Sequence, residues 1–496
     1  MRSGSILGSV MLAASAALLV LAGCADRESS TAERPAAAPE IRKTVALVGG
    51  TLVNGAGEDV VPGAVVVIEG DRIACAGPGA DCGVPDAARV IDVSGRWITP
   101  GIVDAHVHFS QTAWADGRPD ALDVRALYPF EAVQYRQRTM PERYFRSYLC
   151  AGVTAVFDVG GFPWTWTLRS RTEADVFAPH VAAAGPLISH VSPPQWVLPA
   201  ERKIIELADS ESGRAGVRYI AANRSDAVKL WFIAPTDEMR TEIDARVRAV
   251  AEEADNYGIP LIVHATSLRE AKVAVKAGAR VLVHSVQDRP VDEEFIGMMT
   301  ASSGEVLYMP TLTVRGGYVR MYESALTGEV PEIDDPNRCV DEDTLTKIAE
   351  SAEAREYMRF GEERFESYAA RAAEAYEIMV ANLRVLHEAG ATIAMGTDAG
   401  NPLTVAGPSV YTEMEAMQDA GMSPMSVIVA ATRNSARAMN REQDMGTVEA
   451  GKIANLLVLA ADPVADVRNF RQLEAVIRGG RFHNQHSLQR PERGAH

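Results

Sequence analysis

Ile102-Val103-Asp104-Ala105-His106-Val107-His108 is a short apolar run that closes on two histidines. Seven more runs of this kind follow. They are Thr154-Ala155-Val156-Phe157-Asp158, Val181-Ala182-Ala183-Ala184-Gly185, Ala227-Val228-Lys229-Leu230-Trp231 and Leu261-Ile262-Val263-His264, then Val281-Leu282-Val283-His284, Val306-Leu307-Tyr308-Met309-Pro310 and Thr392-Ile393-Ala394-Met395-Gly396-Thr397-Asp398. Each ends in a turn, and most are followed by helical sequence. Continuous apolar runs alternating with helices indicate a parallel sheet covered on both faces, and eight of them indicate a closed (β/α)8 TIM barrel. Residues 242–257 and 268–277 carry apolar positions at helical spacing and stop at Gly258 and Gly278. Residues 341–388 are charged, strongly helical and longer than a barrel connection needs. They read as an extended outer helix, with a lid or a homo-oligomer surface left open.

Outside the runs the pattern changes. Val65-Val66-Val67-Ile68, the turn Gly70-Asp71 and Arg72-Ile73-Ala74 form a hairpin signal within residues 43–97. Strand signals return at residues 446–449, Leu456-Leu457-Val458-Leu459 and Ala475-Val476-Ile477. The two flanks are expected to meet in one small composite β-sandwich domain, residues 43–97 with 441–485. The barrel then occupies 98–440, and 486–496 form a tail.

Arg2, an apolar stretch at 6–22 and small residues before Cys24 describe an export signal at 1–23. Leu21-Ala22-Gly23-Cys24 resembles the bacterial lipoprotein cleavage box, which implies lipidation at Cys24. Residues 24–42 are rich in Ala, Pro, Glu, Arg and Ser and read as a flexible tether. The expectation is a cell-envelope lipoprotein, outer-membrane anchored and periplasmic, touching membrane through its lipid alone. A net charge of −17 argues against nucleic acid as a partner. Cys75 and Cys82 flank Gly77-Pro78-Gly79, which leaves a short-loop disulfide open in an oxidising compartment. Cys150 lies in an apolar stretch and reads as a buried thiol.

Catalytic groups of a barrel sit at the C-terminal ends of its strands. His106 and His108 end the first run, Lys229 lies in the fourth, His264 ends the fifth, His284 the sixth and Asp398 the eighth. Of ten histidines in the chain, four therefore fall on one rim. His106 and His108 are two apart, so on a strand both face one way, and converging imidazoles are a divalent-metal grip. His190, Tyr308 and Arg315 follow or interrupt strand runs on the same rim and are the candidate substrate-binding groups, Arg315 as a carboxylate hook. Trp164, Trp166 and Trp196 are placed to line an apolar wall. His180 starts the third run and His387 lies in a helix; both read as structural.

Pro100-Gly101-Ile102-Val103-Asp104-Ala105-His106-Val107-His108 resembles the opening motif of the amidohydrolase superfamily. Gly396-Thr397-Asp398-Ala399-Gly400 resembles its last-strand motif, and Gly451-Lys452-Ile453-Ala454-Asn455-Leu456-Leu457-Val458-Leu459 its C-terminal signature. The order and spacing are similar to the imidazolonepropionase-related and metal-dependent prolidase branches. Asn455 stands where Asp is usual, and His284-Ser285 departs from the common Glu-His-Gly context. The resemblance implies two divalent metals, zinc by preference for imidazole, with His106, His108 and Asp398 on one and His264 and His284 on the other. It implies that Lys229 is carbamylated by CO2 and bridges them. A metal-activated hydroxide would then cleave a C–N amide bond in a dipeptide, an N-acyl amino acid or a cyclic amide, with Asp398 as catalytic base and then acid. Lactone, ester or organophosphate hydrolysis is the alternative for the same site, and ligand binding without turnover a more distant one.

Overall fold

The computed structural model describes residues 44–301 and 305–491. The export signal, Cys24 and the tether lie outside the described residues.

All eight apolar runs become barrel strands, at Ile102–Val107, Val153–Asp158, His180–Ala183, Val228–Trp231, Leu261–His264, Val281–Val283, Leu307–Met309 and Thr392–Ile393. The ladders between them are parallel. The third strand is interrupted at Gly185-Pro186 and resumes as Leu187–Ser189, which carries the pairing to the fourth strand through Ile188 and Leu230. The last strand is short, yet the chain beyond it closes the barrel. Ala105 donates to the Met395 carbonyl, Asp398 N–H to that of His106 and His108 N–H to that of Ala399.

Side-chain parity explains why these runs are strands. Ala155, Phe157, Ala227, Ile262, Leu307 and Met309 pack in one buried cluster inside the barrel. Their strand neighbours Val156, Val228, Leu230, Val263 and Tyr308 pack in the larger cluster beneath the helices. Each fully buried large apolar side chain contributes about 1.5–3 kcal/mol, and a one-residue slip would move a whole set to the wrong layer. The outer helices follow the sequence closely. Leu268–Ala277 is capped by Ser267, whose side chain accepts from Glu270 N–H, and ends at Gly278 in the left-handed region.

The two flanks share one eight-stranded sheet. Trp97–Pro100 pairs antiparallel with Leu456–Leu459, so the strand entering the barrel lies beside the first one after it. The sheet curls until Ile73 N–H reaches the Lys452 carbonyl and Gly451 N–H the Ile73 carbonyl. Residues 446–449 are not a strand, although Val448 N–H bonds the Asn54 carbonyl. Arg481–Asn484 is a strand that the sequence pattern did not reveal.

The cysteines require a correction. Cys75 and Cys82 are bonded to each other, and Cys150 is not a free thiol but is bonded to Cys339. Both half-cystines of the second pair are buried, and 189 positions separate them, so spacing along the chain gave no sign of the pairing. The charged stretch past Asp341 is not a single helix. It breaks into Glu342–Ala349, a 3-10 turn at Ser351–Tyr357 and the 27-residue helix Glu362–Glu388, and it contributes Tyr368 and Met379 to a cavity at the barrel mouth.

Candidate active site

His106, His108, Lys229, His264, His284 and Asp398 all line that cavity, which has a volume of about 300 Å³. Strand parity delivers two of them. Lys229 is two residues on from Ala227 and His264 two on from Ile262, and both predecessors point into the barrel. His284 and Asp398 arrive differently. Each has positive φ, 75° and 62°, a conformation costly for a residue with a side chain and held here by the surrounding ladder. Gly396 allows the last strand to approach the first: a Cβ there would lie 2.6 Å from that of His106.

The groups converge tightly. Asp398 Oδ1 lies 2.9 Å from His108 Nε2 and 3.3 Å from His106 Nε2, and its Oδ2 lies 4.0 Å from His284 Nε2. The His264 and His284 rings are 4.3 Å apart between centroids, and those of His106 and His284 are 5.0 Å apart. Ligand atoms of His106, His284 and Asp398 fall within 4.8 Å of one another. This tightest set crosses the division of ligands expected from the sequence, because His284 reaches the same point as His106.

The donor chemistry fits a metal. Among the described residues, neither ring nitrogen of His106 has a hydrogen-bond partner, nor do Lys229 Nζ and Asp398 Oδ1, although all are buried. Such groups are costly to bury unless something else ligates them. Burial, reinforced by neighbouring cations, holds His106, His264 and His284 well below the usual histidine range, so each offers a lone pair. Burial also pushes the Lys229 ammonium down to about 7.

A second layer fixes the ligands. His108 Nδ1 is 2.8 Å from the Gly160 carbonyl and His284 Nδ1 is 2.7 Å from Thr311 Oγ1. Asp104 accepts from the N–H and hydroxyl of Thr397, next to Asp398. Glu413 accepts from Leu312 N–H, Thr313 N–H and the Thr313 hydroxyl, which holds the turn carrying Thr311. Burial pushes both carboxyls up to about 7 against those bonds.

The candidate substrate groups divide. Arg315 lines the cavity and donates to Gln287 Oε1. Tyr308 does not line it: its parity turns it outward into the helix layer, where its hydroxyl accepts from Val286 N–H. His190 does not line it either; it follows the resumed third strand and is half-buried. Trp196 lines the cavity, whereas Trp164 and Trp166 are buried and do not line it. His180 is buried against Glu173, and His387 lies in the long helix, as read. Arg118, Lys203 and Tyr318 were missed. Arg118 and Lys203 lie in aperiodic loops and Tyr318 in the helix Val314–Thr327, and only Trp231, at the end of a recognised run, carried a usable signal.

A barrel with a buried His, Lys and Asp set at its C-terminal mouth defines a metal-dependent hydrolase. Residues 97–482 match the Amidohydrolase family, and the chain belongs to it. Its coarse activity is that family's metal-dependent hydrolysis at C–N bonds. It is similar to the imidazolonepropionase of Caulobacter vibrioides (strain NA1000 / CB15N), at 24% identity over 83% of this chain and 91% of the relative. Among solved structures it is similar to a Xaa-Pro dipeptidase with bound methionine in the active site, at TM-score 0.67 and 21% identity over 89% of this chain and 100% of the other. It is also similar to molinate hydrolase, at TM-score 0.67 and 22% identity over 92% and 99% of the two chains. At such identities the structural likenesses show the shared fold.

Proposed function

We propose that the protein is a dinuclear amide hydrolase acting on a dipeptide, an N-acyl amino acid or a cyclic amide. The observation that carries this reading is the convergence of six metal-capable side chains in one cavity, with both ring nitrogens of His106 and Nζ of Lys229 lacking a hydrogen-bond partner among the described residues. His106, His108 and Asp398 would hold one divalent metal and His264 and His284 the other, with zinc suited to the imidazole-rich set. Lys229, its proton loosened by burial, would react with CO2 and bridge the pair as a carbamate. Bound there, the metals supply a water of lowered pKa and polarise the scissile carbonyl.

The chain's own residues do the rest. Asp398 takes the proton of the attacking water and delivers it to the leaving nitrogen. Thr311 and the Gly160 carbonyl keep His284 and His108 in the tautomer that ligates through Nε2. The aromatic walls exclude solvent from the reacting bond. The prolidase likeness favours a dipeptide or N-acyl amino acid within this range. The two disulfides support an exported chain, in keeping with the lipoprotein reading of Cys24. Mature-protein mass tests that reading: an unmodified N-terminus downstream of Cys24 contradicts it.

The activity test is a panel of dipeptides, N-acyl amino acids, cyclic amides and lactones, offered to protein loaded with zinc in bicarbonate buffer. Hydrolysis of at least one amide class, abolished by Asp398→Asn, is expected. No amide turnover by the loaded protein would sink the reading, and turnover of lactones alone would replace it. Labelling with 13CO2 should place a carbamate resonance on the wild type and none on Lys229→Met.

A further inference from the structure

The chain carries a net charge of −17, yet the cavity holds a lysine with no salt-bridge partner among the described residues. Lys203 is 2% exposed and lines the cavity, and its Nζ has no hydrogen-bond or ion-pair partner among the described residues. It sits 4.2 Å from the centroid of the Trp196 ring. Asp120 acts on Lys203 through its charge but makes its hydrogen bonds elsewhere. Its Oδ1 accepts from Arg118 Nε at 2.9 Å and from Trp196 Nε1 at 2.9 Å, and its Oδ2 accepts from Arg118 Nη2 at 2.7 Å. Arg118 donates its remaining fork to Asn401 Oδ1 and lies 5.3 Å from the centroids of both Trp196 and Tyr318. Asp120 thus fixes the Trp196 indole and neutralises Arg118, and the indole face supports Lys203. Lys203 Nζ is left without a direct acceptor among the described residues.

A buried amine that rests on a ring face without a direct acceptor is an expensive arrangement. Burial and the Arg118 cation push it down to about 7, against the opposing pull of Asp120, Asp158 and Asp398. An anionic guest would satisfy it through a charge-assisted bond. The position is built to last: the Lys203 carbonyl accepts from Leu187 N–H, which anchors this loop to the resumed third strand at the cavity wall. The remaining wall is aromatic and aliphatic, with Trp231, Tyr322 and Met379 among its members.

We infer that Lys203, seated on Trp196 and braced through the Arg118–Asp120 pair, anchors a substrate carboxylate, so that the enzyme takes amides bearing a free carboxylate and an apolar side group. This rests on the proposed amide hydrolysis for its account of the reacting bond. It excludes from good substrates the carboxamides and esters of the same compounds.

The test is equilibrium binding, which needs no turnover. Zinc-loaded wild type and Lys203→Met are titrated by calorimetry with 3-phenylpropionate, 4-methylpentanoate and hexanoate, and with the three matching alcohols. Wild type should bind at least one acid more tightly than its alcohol. Lys203→Met should lose about 10- to 100-fold in that acid's affinity, which is the worth of one charge-assisted bond, with alcohol affinity and zinc content changed less than twofold. Lys203→Gln serves as the second variant if the methionine form does not fold. An acid preference that survives in the variant overturns the inference, as does the absence of any acid preference in wild type or an equal loss for acids and alcohols. Turnover of N-acyl amino acids, measured on the same samples, separates the two claims. An inactive protein whose acid preference depends on Lys203 keeps the subsite and loses the proposed activity. An active protein whose preference ignores Lys203 does the reverse.

Discussion

The cavity has two halves that are built by different means. Its floor, from His106 and His108 to Asp398, is set by barrel strands and the residues that end them, with backbone ladders placing the strands, the Gly160 carbonyl holding His108 and the Thr311 hydroxyl holding His284. Its outer wall, from Arg118 and Trp196 to Tyr318 and Tyr368, comes from loops and from helices on the rim, and side chains hold one another there. The difference teaches a division of labour. The floor can be rigid because a slip would cost the whole barrel core, while the side chains that loops and helices bring to the wall can change without altering the strand register. Floor substitutions should therefore injure the chemistry of every substrate, and wall substitutions should change which substrate is chosen.

The largest effect is expected at Asp398. On the proposed reading Asp398→Asn would disable a metal ligand and the proton carrier together, so kcat should fall by about 10³-fold or more on every substrate, with the far-ultraviolet circular dichroism unchanged. Thr311→Val comes next. It takes the partner from His284 Nδ1 without touching Nε2, the proposed ligand atom, and zinc affinity should weaken by about 10- to 100-fold in competition with a chelator. A wall residue should behave otherwise. Tyr318 donates to Asn401 Oδ1 at 2.6 Å, and Asn401 Nδ2 donates to the Asp398 carbonyl, so this pair joins the two halves. Tyr318→Phe should raise KM by about three- to tenfold and leave kcat and zinc content within a factor of about two. A large fall in kcat on all substrates would erase the proposed boundary between floor and wall. The smallest effect on catalysis is expected from the double variant Cys150→Ser, Cys339→Ser. Loss of the bond should cost about 2–4 kcal/mol in a guanidinium titration, with kcat/KM at 25 °C within twofold of wild type.

The same division decides what could be read from the sequence. The barrel was legible because its eight runs are apolar on both faces, and the floor because histidines and an aspartate close those runs. The wall was not. Arg118 and Lys203 lie in aperiodic segments 85 positions apart and meet only once the loops have folded over the barrel mouth. Tyr308 shows the limit from the other side. Its place in a strand run was legible, but a strand alternates its faces, and Leu307 and Met309 take the inward positions while Tyr308 goes to the helix layer. The Cys150–Cys339 bond joins an outer helix to a remote segment, a pairing that no local spacing encodes.

The central claim is that the strand-end set holds two metals with Lys229 between them. The direct measurement is zinc bound per chain after equilibrium dialysis in bicarbonate buffer, made on wild type and on Lys229→Met. Two equivalents for wild type and one or fewer for the variant are predicted. One equivalent or none in a fully active wild type, or two retained by Lys229→Met, would contradict it.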